Sequence, residues 1–223
     1  MKKMSMLALL IGLALIQNNR AAGKDEKTDK LADELWKSVG GEQWPSAQEA
    51  RFSFILLENN KQVLRADHVW NITAKTDDVK WTDKDGKEKH VKVNLVSPGS
   101  DEDSKAGYAR WVNDSDSLFA VLKIKDPGAQ LKSEPQKEVD GFNCDVLRVT
   151  FQNASPMPNE QYTLYIDANT RLVRSWDHPS IGGGTSHETC ERYHNFGGFI
   201  LPGVHKAGDK TVRAADVSVS MAK

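Results

Sequence analysis

Residues Val139 to Asp177 read VDGFNCDVLRVTFQNASPMPNEQYTLYIDANTRLVRSWD, and the alternation inside this stretch decides the fold class. In its middle run Tyr162, Leu164 and Ile166 fall on one side of an extended chain, while Thr163 and Tyr165 fall on the other. Successive strand side chains point to opposite faces, so the run is a strand with one face in a core. The run before it sets Leu147, Val149 and Phe151 against Arg148 and Thr150, and the run after it puts Leu172, Arg174 and Trp176 on a common side. Between the last two stands Asp167-Ala168-Asn169-Thr170. Asp and Asn suit a turn because their side chains bond to nearby backbone and tolerate positive φ. Three strand patterns joined by short connections make an antiparallel meander, and a curved sheet is the expected scaffold.

Upstream, period two recurs. Phe52, Phe54 and Leu56 oppose Arg51, Ser53 and Ile55, and Asn59-Asn60 marks a hairpin turn. Leu64, Ala66, His68, Trp70 and Ile72 then share a face; Val79 and Trp81 mark a third strand, and Val91, Val93 and Leu95 a fourth. Ser97-Pro98-Gly99-Ser100 interrupts the sheet, and Asp101 to Asp103 is an acidic start for a helix through Tyr108, Trp111 and Val112. Leu118 to Ile124 is an apolar patch open to either helix or strand, closed by the turn Asp126-Pro127-Gly128. Downstream, Ile181 to Gly184 is a glycine-rich corner, Thr185 to Phe196 a strand, and Phe199, Leu201 and Val204 precede a Gly208-Asp209 turn and a last strand.

At the other end, MKKMSMLALLIGLALIQNNRAAG, residues 1–23, has a basic start, an apolar run from Met6 to Ile16 and small residues at Ala21, Ala22 and Gly23. That is the pattern of a secretory signal peptide, and the run is too short to span a bilayer, which takes about 20 apolar residues. The mature chain is expected in the periplasm or secreted, with no integral membrane segment. Residues 24–30 read as a polar, mobile leader, and 31–223 as a single domain whose first helix carries Leu31, Leu35, Trp36 and Val39 and stops at Gly40-Gly41. Losing Lys2, Lys3 and Arg20 leaves 27 basic against 31 acidic residues, a formal charge of −4. With no basic run to neutralise phosphates, nucleic-acid binding is set aside.

ARWVND at Ala109–Asp114, KIKDPGAQL at Lys123–Leu131, QYTLYIDANTRLVRSW at Gln161–Trp176 and GGFILP at Gly197–Pro202, in this order, resemble an uncharacterised family of exported bacterial proteins within the outer-membrane lipoprotein carrier (LolA-like) superfamily. The resemblance covers roughly Arg51 to Val219. It implies an α+β fold, a strongly curved antiparallel sheet (an incomplete β-barrel, or half-barrel) with helices covering the concave face. It also implies a role in lipid or lipoprotein handling in the bacterial envelope. Where such relatives are more aromatic after WVND, this chain has Ser115-Asp116-Ser117.

An incomplete barrel offers a concave apolar face to a hydrophobic small molecule, lipid or acyl chain. The residues expected to line it are Trp70, Trp81, Trp111, Phe119, Tyr165 and Trp176, because aromatics join a large apolar area to a polar handle. The alternative is an envelope protein–protein interaction module whose core fills itself. A hydrolase with a dispersed acidic site is the third reading, and Asp67, Asp114 and Asp145 read as solvated or capping acids. No GxSxG, P-loop or strand-borne GxGxxG pattern occurs, and no cofactor is implied. The segment HPSIGGGTSHETCERYH, His178 to His194, gathers His, Cys and Glu, but on a strand His187 points away from Cys190 and His194, so no metal site is expected. Cys144 and Cys190 lie on the first and fourth of four consecutive strands, about 14 Å apart at about 4.8 Å per step. That is too far for a disulfide, which needs Cα atoms within about 7 Å. Sequons occur at Asn71, Asn113 and Asn153.

Overall fold

The computed structural model describes residues 25–82, 85–151, 160–179 and 184–222. The signal peptide, the sequon at Asn153 and most of the 181–184 corner lie outside these. Helix α1 (Glu26–Ser38) and a 3-10 segment (Gly41–Ser46) lead into strands β1 (Ala47–Glu58), β2 (Lys61–Asn71), β3 (Thr76–Thr82) and β4 (Glu88–Asn94). Helix α2 (Glu102–Phe119) runs on into a second 3-10 segment (Ala120–Lys125). Seven strands follow: β5 (Ala129–Val139), β6 (Phe142–Phe151), β7 (Glu160–Asp167), β8 (Val173–Pro179), β9 (Thr185–Phe196), β10 (Phe199–Ala207) and β11 (Lys210–Met221).

All eleven strands join one antiparallel sheet in the order β4-β3-β2-β1-β11-β10-β9-β8-β7-β6-β5. β1 pairs with the last strand and brings the two ends of the chain together, while β4 and β5 remain as edges. The sheet curls around its helices. Helix α2 packs on β2, β3, β4 and also on β10. β4 and β10 are five steps apart, about 24 Å on a flat sheet. Helix α2, 18 residues and about 27 Å long, spans that distance within the hollow. Helix α1 covers β5 and β6 on the same face, and its Trp36 Nε1 donates to the Leu122 carbonyl.

Turn chemistry follows the sequence. Asn59 and Asn60 both take positive φ in the β1–β2 hairpin, as its right-handed twist requires. Asp167 Oδ1 accepts from the backbone N–H groups of Asn169 and Thr170, and so closes the β7–β8 turn. Asp101 caps α2 by accepting from the Ser104 N–H at 2.9 Å.

Four expectations change. From Glu26 the leader is part of helix α1, and its buried Thr28 accepts from the Ser133 N–H of β5 at 2.7 Å. Strand β5 adds to the meander ahead of β6; as an edge strand interrupted by Pro135 it has no face buried enough to alternate. A register shift between Tyr165 and Ile166 turns Val173 and Trp176 into the core while Arg174 lies over the Phe142 ring. Another shift, between Leu56 and Leu57, buries Leu57 in place of Leu56.

Candidate functional site

The face under the helices is largely apolar, with His68, Asp77 and His205 buried among its aromatic and aliphatic side chains. Trp44, from the first 3-10 segment, sits at its centre, with ring centroids 5.7 Å from Trp70, 5.6 Å from Phe119 and 5.8 Å from Phe199. Trp70 meets Trp111 at 5.5 Å and Phe119 at 5.8 Å, so three of the six residues expected to line the hollow form one aromatic group. Trp176 stands further along the same core beside Tyr162, and stacks on His205 at 5.1 Å. Trp81 belongs to a smaller cluster with Ala66, Val79 and Val93 beneath the start of α2. Tyr165 lies on the opposite, outer face with Cys144 and Val146, and its hydroxyl donates to Asp177 at 2.6 Å. It cannot line a hollow on the inner side.

The hollow is closed. Leu118 and Phe119 at the end of α2 and Ala120, Val121, Leu122 and Ile124 of the 3-10 segment are all buried in it. Two cavities among the described residues hold about 10 Å³ each. Each has room for about one water molecule, far below the few hundred Å³ of a ligand pocket.

Polar contacts add to this apolar seal. His68 of β2 is buried between two carboxylates, with Nδ1 2.8 Å from Asp77 Oδ2 of β3 and Nε2 3.1 Å from Asp114 Oδ2 of α2. The Phe52 ring stacks on the imidazole at 4.5 Å. Burial alone would lower the pKa of His68, but the hydrogen bonds to Asp114 and Asp77 outweigh it and push the value up to about 9. The ring is then an imidazolium at neutral pH, donating from both nitrogens. Burial also raises Asp77, against the pull of His68. Asp114, read from the sequence as solvated or capping, has no exposure at all; its second oxygen accepts from Asn113 Nδ2 at 2.9 Å. Asp145 does fit that reading in part, pairing with Arg171 and Gln136 near the surface. At the far end of the cover Lys123 bonds Asp116 at 2.6 Å and lies over the Trp70 and Trp111 rings, and Lys125 pairs with Asp33 of α1.

His68 was visible in the sequence as a titratable residue on an otherwise apolar strand face. Its two acids were not, because they come from a neighbouring strand and a helix 46 residues away. On β9, Arg192 takes a left-handed conformation (φ 53°) that reverses the alternation. Cys190 and Tyr193 therefore both enter the core while His194 is exposed, contrary to the expectation that Cys190 and His194 share a face. His187 is held on the outer side by Asp177 and Asp140. Both cysteines are free thiols, with two strands between them.

Models of known protein families give no match to this chain, and no curated protein sequence matches it. Solved structures do. A LolA superfamily protein of Nitrosomonas europaea superposes with a TM-score of 0.54 over 86% of this chain and 94% of its own, at 9% identity. A domain of Vibrio parahaemolyticus described as a candidate outer membrane lipoprotein-sorting protein gives 0.48 over 87% and 93%, at 11% identity. Among the described residues no helix is long and apolar enough to cross a membrane. One open, curled antiparallel sheet with helices laid in its hollow, matched over most of its length by such a structure, gives this chain the LolA-like fold.

Proposed function

We propose that the protein works outside the cytoplasm as a non-enzymatic carrier or binder of an acyl chain, lipid or other apolar ligand, taken into the hollow when α2 and the segment after it lift away. The observation that carries this reading is the mismatch between the hollow and its fastening. The wall is mostly aromatic and aliphatic, whereas polar contacts hold the cover at its middle, Asp114 on His68, and at its end, Lys123 over the Trp70 ring and Lys125 on Asp33 of α1. Polar groups can exchange such contacts for water when the cover lifts, and the apolar wall then needs an apolar guest; each methylene it buries contributes about 0.8 kcal/mol. Trp70, Trp111, Phe119 and Trp176 would line the opened site, with Trp81 at its margin. The apolar run at the start of the chain supports export.

A tether tests it. A Cβ built on Gly107 of α2 would lie 2.8 Å from Val93 Cγ2 of β4, so cysteines at 93 and 107 are placed to cross-link cover and sheet. The G107C/V93C protein is expected to take up a fluorescent fatty-acyl probe when reduced and to lose uptake when oxidised. Equal uptake in both states would argue against an opening cover. The filled hollow itself favours a second reading, an interaction module that acts through its outer surface. Protein purified from intact envelopes with a bound partner and no extractable lipid, by native mass spectrometry, would support that one.

A further inference from the structure

We propose that the imidazole of His205, keyed by Cys190, is the polar anchor of the hollow and selects a guest bearing an uncharged carbonyl, an ester- or amide-linked acyl group, over a free fatty acid or a plain hydrocarbon. This rests on the reading of the hollow as an apolar-ligand site.

His205 of β10 is 97% buried, and its ring forms part of the wall of both cavities. β10 pairs with β11 only over Val204–Ala207, and the first cavity, bounded by Phe52, Ser117, Leu118 and Ala214, lies in this region of the sheet. The second, bounded by Val39, Val121, Trp176, Tyr193 and Leu201, lies beneath the cover. One face of the ring stacks on Trp176, and Nδ1 is 3.5 Å from Cys190 Sγ. Nε2 makes no hydrogen bond among the described residues; the Ser117 carbonyl faces the ring and favours its protonated form without closing one.

Burial lowers the pKa of His205 to about 4, so the ring is neutral, and burial holds the Cys190 thiol well above its usual value, so the sulfur keeps its proton. With the thiol as the donor to Nδ1, the ring's own proton sits on Nε2, which then faces the cavities as a donor. A buried donor without an acceptor is destabilising, and a carbonyl oxygen placed there relieves that cost. A carboxylate is disfavoured by its neighbours. Glu188 accepts from Trp176 Nε1 at 3.1 Å and pairs with His178, while Asp116 borders the second cavity and holds Lys123. An uncharged carbonyl meets the same donor without that repulsion.

Dodecane, methyl laurate and laurate share nearly one chain length and differ at the head. With the wild-type protein and the variant His205→Phe, which keeps a flat ring against Trp176, displacement of a fluorescent acyl probe gives three affinities each. Methyl laurate is expected to bind wild type about tenfold more tightly than dodecane and than laurate, a step of about 1.4 kcal/mol. In H205F the ester should fall to the level of dodecane, with dodecane unchanged. Should H205F fail to fold, the 15N resonance of the wild-type Nε2 serves instead, shifting on saturation with methyl laurate and not with dodecane. An ester-to-alkane ratio that survives the substitution, or an Nε2 resonance indifferent to the ester, overturns the anchor and leaves the apolar site standing. Failure of all three compounds to bind overturns both.

Discussion

Replacing Asp114 by alanine should unfasten α2 from the sheet, and the cost can be worked from the geometry around His68. The substitution removes the acceptor 3.1 Å from Nε2, leaves an imidazolium N–H facing the interior, and frees the Asn113 amide. The rise of His68 from 6.5 to about 9 corresponds to about 3 kcal/mol of preference for the charged ring, shared between Asp77 and Asp114. Asp77 still pairs with the ring, so the cost is that of one buried charged donor left without its acceptor, about 1–3 kcal/mol. Against a total stability of about 5–15 kcal/mol that is a large fraction. The pH dependence follows from linkage: a histidine raised in the folded state contributes fully below its unfolded value of about 6.5, and the contribution is lost as pH climbs through about 9. Wild-type stability should therefore fall by about 3 kcal/mol between pH 6.5 and 10. In D114A one carboxylate fewer opposes burial, the His68 pKa drops, and the gap to wild type should be widest near pH 6.5 and narrow by pH 10. Urea unfolding followed by tryptophan fluorescence measures both, with Asp67→Ala, an exposed partner of Arg65, as a control expected to cost under about 1 kcal/mol. A D114A cost no larger than the control's, or wild-type stability flat from pH 6.5 to 10, would refute the fastening.

Two further outcomes are expected. Gly40 links α1 to the first 3-10 segment at φ 77°, and an added Cβ would fall 2.1 Å from the Gly198 carbonyl oxygen in the β9–β10 turn; Gly40→Ala should cost at least about 1–2 kcal/mol from the left-handed conformation alone, read as a lower urea midpoint. Cys144 and Cys190 are buried, with both thiols raised by burial, so an aromatic disulfide reagent should titrate no thiol in the native protein at neutral pH and two once it is unfolded. A fast-reacting native thiol would contradict the burial of one or both strands.

Much of this architecture was written in the chain, because strand patterning is local. The alternation of Tyr162, Leu164 and Ile166, the Asn59-Asn60 turn and the acidic helix start at Asp101 to Asp103 each depend on residues within a few positions, and each takes the expected form. Local rules failed where a single residue resets the register, as Arg192 does on β9, and where an edge strand such as β5 buries too little to show a period. Trp70, Trp111 and Phe119 could be named as a set, since large aromatics on core faces must pack somewhere. That they converge on Trp44, and that Tyr165 points outward, depends on how far the sheet curls. The meeting of His68 with Asp77 and Asp114, and of His205 with Cys190, left no linear trace. A buried charge or donor is defined by the dielectric around it and by partners from other elements, and both exist only once the sheet has wrapped around its helices.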